Sequence, residues 1–138
     1  MPFTYYTDNA VVALLFNDTA FTALANVYLA LSTTTPTQVK GSAPYWNFTE
    51  PVGNGYARVT IAGTTGNFPA PTTGSTNNAG SVSFPQATGS QGTVTYFGFF
   101  DAATNGNLIG YGALNTSQTI VSGNVLTFAI GQLTMSNN

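Results

Sequence analysis

Gly92-Thr93-Val94-Thr95-Tyr96-Phe97-Gly98-Phe99-Phe100-Asp101 is the stretch that decides the fold class. Its β-branched and aromatic residues suit a pleated, half-buried surface, so it reads as the strongest strand and the centre of a sheet. Gly98 within it marks a bulge or a place where another backbone comes close. Downstream, Asn105-Gly106 is a hairpin turn signal, and residues 108–114 return as an antiparallel partner. Further strands are expected at 118–121 and 124–130, split by Ser122-Gly123, with 133–135 continuing the last of them. Upstream, Val27, Leu29 and Leu31 alternate with Tyr28, Ala30 and Ser32, the period of two that belongs to a strand. Ala57, Val59 and Ile61 alternate in the same way with Tyr56, Arg58 and Thr60, and 81–84 is a brief strand. Residues 33–54 and 63–80, rich in Pro, Gly, Thr and Asn, read as two long loops. Near the start, Thr7 or Asp8 caps a short helix that carries Val11, Val12, Leu15 and Phe16 and ends at Asn17-Asp18. The pattern predicts an all-β chain: a single β-sandwich domain over 1–138, jelly-roll or Greek-key-like, with 1–25 as an N-terminal arm and short helix.

Composition narrows the chemistry. Of 138 residues, two are basic (Lys40 and Arg58) and four acidic (Asp8, Asp18, Glu50 and Asp101), 4% charged against roughly 25% in ordinary soluble domains. The chain contains no His and no Cys, which excludes His-based triads, thiolate nucleophiles, Cys/His zinc sites and disulfide scaffolds. The four acids are scattered, so no glycosidase-type pair is evident, and no cofactor, metal or catalytic residue is expected. A formal charge of −2 gives no basic footprint for nucleic acid. The apolar run 10–31 is interrupted by Asn17, Asp18, Thr19, Thr22 and Asn26, leaving pieces too short to cross a bilayer. No basic residue precedes it, as a secretory signal would require. Thr, Asn and Ser, 23, 14 and 9 of them, replace the missing charges. Strand edges without Lys or Glu lack the usual guard against pairing with other chains, a first sign of assembly in stoichiometric copy number.

Candidate contact residues follow from the same reasoning. Tyr45, Trp46 and Phe48 sit together in the first long loop, where three aromatics serve either as a plug for the local core or as an anchor for a protein partner or glycan. Arg58 either pairs with Glu50 or Asp101 or reaches a neighbouring chain. Phe3, Tyr5 and Tyr6 make the N-terminal segment a second candidate surface.

Several blocks then carry a resemblance: Val27-Tyr28-Leu29-Ala30-Leu31-Ser32-Thr33-Thr34-Thr35-Pro36; Thr49-Glu50-Pro51 with Gly55-Tyr56-Ala57-Arg58-Val59; Phe84-Pro85-Gln86-Ala87-Thr88-Gly89; and Phe97-Gly98-Phe99-Phe100-Asp101-Ala102-Ala103-Thr104-Asn105-Gly106-Asn107-Leu108. Together they resemble small β-rich structural proteins of tailed bacteriophages, both tail fibre proteins and capsid cement or decoration proteins. The resemblance implies a virion protein without enzymatic activity. Its leading form is a cement protein on the capsid surface, a homotrimer bridging major capsid proteins and stabilising the assembled shell. The alternative is a tail or tail-fibre component that recognises a host surface glycan or receptor. Neither form involves nucleic acid or membrane.

Overall fold

A computed structural model describes residues 3–40 and 46–136; Tyr45 lies outside the described residues. The elements run α1 (Tyr5–Phe16), β1 (Asn26–Ser32), β2 (Thr37–Gln38), β3 (Trp46–Asn47), β4 (Val59–Ala62), β5 (Ser75–Asn77), β6 (Val82–Ser83), β7 (Gly92–Phe100), β8 (Leu108–Ile120), β9 (Thr127–Phe128) and β10 (Thr134–Ser136). The chain is therefore all-β with one short helix. Its main sheet is four-stranded and antiparallel in the order β4-β1-β7-β8, joined by three two-stranded ladders, β10-β5, β2-β3 and β6-β9.

β7 lies inside the sheet as its aromatic pattern predicts, with Leu29 opposite Phe99 and Leu31 opposite Phe97 on one side and Phe97 opposite Gly112 on the other. Alternation then separates two faces. On one, Leu29, Leu31, Ile61, Phe97 and Phe99 meet Val82, Phe84, Phe128 and Leu133 from the β6-β9 ladder and the C-terminal segment, forming the larger core. On the other, Ala30, Phe100 and Leu108 are covered by Trp46 and Phe48 from the β2-β3 side.

Several boundaries differ from the sequence reading, each for a physical reason. The helix starts at Tyr5 because Thr4, not Thr7 or Asp8, is its N-cap residue. The Thr4 N–H donates to the Ile109 carbonyl and its hydroxyl to the Leu108 carbonyl, so tertiary anchoring replaces a side-chain cap. The two expected strands at 108–114 and 118–121 are one strand, β8; a register shift between Val94 and Tyr96 absorbs the intervening residues as a bulge. Residues 133–135 do not continue β9: Thr134–Ser136 pairs instead with β5, inside the expected loop 63–80. Gly98 sits in regular register rather than at a bulge, and a Cβ there would lie 2.7 Å from Phe48 Cε2 and 2.8 Å from Leu108 Cδ1. It makes room for side chains, not for another backbone. Among the described residues, no helix is long and apolar enough to cross a membrane.

Candidate interaction surfaces

The first surface is the helix. Asp8 in the first turn complements the positive end of the helix dipole, and the run Ala10-Val11-Val12-Ala13-Leu14-Leu15-Phe16 follows without a polar interruption. Asn17 closes the helix with its N–H on the Ala13 carbonyl, and Asp18 turns the chain at φ 52°. A helix apolar on every side belongs inside something. This one has no buried residue: Leu14 is 50% exposed, Leu15 67% and Phe16 79%, and Val11, Val12 and Phe21 are exposed with them. Among the described residues, the hydrogen bonds that tie it to the rest of the chain are at its root. The Thr7 hydroxyl donates to the Ile109 carbonyl at 2.8 Å, and the Tyr5 N–H to Gln38 Oε1 at 2.7 Å.

Around that root lie the N-terminal aromatics. Phe3 bridges to Gly110 on β8. Tyr5 receives the Lys40 ammonium over its ring at 5.5 Å. Tyr6 lies against Asp101 and Asn107, and burial, reinforced by the Asp101 charge, pushes its phenol pKa up. All three are half-buried and hold the helix to the body of the chain.

The second surface is a groove of about 470 Å³ whose lining is almost wholly apolar, including Phe3, Val27, Phe68, Phe99, Ile109 and Met135. Its other lining residues come from the turn at 63–65 and from Pro69, Ala70, Pro71 and Thr76, none of them charged. It lies beside the root of α1, because Phe3 belongs to both. Composition could not have revealed it, since its walls come from parts of the chain far apart in sequence, from Phe3 to Met135.

The third region is polar and fully engaged. Arg58 donates through Nε to Glu50 Oε1 at 2.9 Å and through Nη2 to Glu50 Oε2 at 2.7 Å, a two-pronged ion pair. Its Nη1 donates to the Ala102 and Asn105 carbonyls, each at 2.8 Å, and the guanidinium stacks 3.7 Å from the Phe100 ring centre. The Tyr56 hydroxyl donates to Glu50 Oε1 at 2.8 Å and accepts from the Leu31 N–H at 3.0 Å. Burial pushes the Tyr56 phenol pKa far up. The side chain of Arg58 is only 5% exposed, so of the options open in the sequence the chain satisfies this cation internally, with Glu50. Asp101 instead accepts the Asn107 N–H at 2.7 Å and holds the β7–β8 turn.

Trp46 and Phe48 are likewise packed within the chain, edge-to-face on Phe100 at 5.0 and 5.2 Å. Among the described residues, no three carboxylates or other ligating side chains converge on a point that could hold a metal.

Fold and surfaces together define a small all-β protein in which Glu50, Arg58 and Asp101 hold its own loops and the helix exposes an uncharged apolar run. The chain belongs to the phage family described as Podophage GP4 fiber I protein gp80, whose profile matches residues 2–136. It is a structural protein of a bacteriophage virion. Comparison with curated proteins gives no match.

Proposed function

We propose that the chain is a repeated, non-catalytic subunit of a virion fibre and acts by association with further copies and neighbours. The observation that carries this reading is helix α1: its leucines, valines and phenylalanine are left exposed by the described residues, and their burial in an assembly would favour the assembled state. The family description supports the fibre over the capsid shell. The cement reading, a homotrimer bridging major capsid proteins, draws on the same apolar surfaces and has no separate observation in its favour. Within the fibre, a framework role suits the chain better than glycan reading, because the rings of Trp46 and Phe48 are turned onto Phe100 rather than offered as a stacking platform.

Immunogold electron microscopy of intact virions with antibody against this chain tests the assignment. Label along fibres at many copies per particle is expected. Label spread over the capsid lattice, or none on the virion, overturns it.

A further inference from the structure

We propose that helix α1 of one copy docks, through Leu14, Leu15 and Phe16, into the apolar groove of a second copy. This rests on the reading that the chain works by association, and adds to it which two surfaces meet. Three observations on the molecule select this occupant.

The first is chemical match. Residues 9–16 carry no charge and neither does the groove lining, so desolvating one against the other strands no ion and breaks no hydrogen bond of consequence. The second is size. Leu14, Leu15 and Phe16 follow one another at the free end of α1, each exposed over half or more of its surface. The groove, at about 470 Å³, has room for several such side chains. The third is the way α1 is rooted. Thr4 and Thr7 fix its first turn to the Leu108 and Ile109 carbonyls beside the groove, and in its own chain the far end, Leu14 to Phe16, remains exposed while the groove stays open. Among the described residues projection and cavity are both left unfilled, and a second copy satisfies both.

The absence of cysteine gives a clean test. Leu15→Cys and Ala70→Cys both alter exposed positions, so each variant keeps the core intact. Purified full-length variants are mixed and oxidised, and the disulfide-linked products are identified by mass spectrometry. The expected main product joins Cys at 15 of one chain to Cys at 70 of the other, and Ala70→Trp, which fills the groove, weakens self-association at least tenfold by sedimentation. Predominant linkage of the 15 position to itself means that helices pack on one another and overturns the groove, as does unchanged association of Ala70→Trp or absence of interchain product. A chain found in the fibre by immunogold but linked only through position 15 keeps the fibre assignment and loses this contact.

Discussion

Leu29-Ala30-Leu31 and Leu14-Leu15-Phe16 are triplets of nearly the same hydrophobicity with opposite fates: the first is 0% exposed at every position, the second 50–79% exposed. The first lies on a strand with neighbours on both sides, Val59 and Ile61 on β4 and Phe97 and Phe99 on β7, and both of its faces are covered. The second lies on a helix that the described residues hold at its root. The lesson is that burial here follows the presence of a complementary surface within the chain, and the surface proposed for assembly is the one where the described residues supply none.

The strongest way to break this contrast is at the covered end. Phe100→Ala removes the ring on which Trp46, Phe48 and Arg58 all rest, and should destabilise by about 3–5 kcal/mol in urea unfolding. Arg58→Met is expected to follow at about 2–4 kcal/mol, because it leaves the Glu50 carboxylate without its counter-charge, with only the Tyr56 hydroxyl still donating to it, and removes the guanidinium donor from two carbonyls. Arg58→Lys should recover only part of that, since an ammonium cannot span Glu50 and both carbonyls.

A pH series sharpens the same comparison. The folded chain holds the Tyr56 proton more tightly than the unfolded chain, whose phenol has the ordinary value of 10.0. Its contribution is thus complete below about pH 10 and falls as the pH rises further, where the unfolded state releases the proton first. Tm should decline above pH 10 by more than it does in Tyr56→Phe; Tyr6, shifted in the same direction, accounts for part of the remaining slope. At the uncovered end the effect on fold stability should be smallest. Leu15→Asp with Phe16→Asp is expected to change unfolding of the isolated chain by about 0.5 kcal/mol or less per site.

The covered half of the molecule was the legible half. Strands β1 and β7 announce themselves by period-two alternation and aromatic density, and the Asn105-Gly106 turn by its dipeptide. Two- and three-residue strands such as β2, β3 and β5 carry no periodicity, so they were hidden in expected loops, and the strand expected at 133–135 was given β9 rather than β5 as its neighbour. Asn115-Thr116-Ser117 reads as a break, yet the bulge opposite Thr95 keeps β8 continuous. The aromatic cluster was found, but whether Trp46 and Phe48 plug or protrude depends on Phe100 beneath them, and the Glu50–Arg58 pair depends on two loops meeting. The helix could be placed from Val11, Val12, Leu15 and Phe16, whereas its exposure follows from what the rest of the chain leaves uncovered.

Sedimentation velocity of the purified chain across a wide concentration range, beside the Leu15→Asp, Phe16→Asp double variant, tests the central claim most directly. The wild-type chain should shift with concentration from one-chain to multi-chain species, and the variant should stay a single chain with nearly the same Tm. A wild-type chain that remains single throughout, or a variant that associates equally well, contradicts the claim that this helix is an assembly surface.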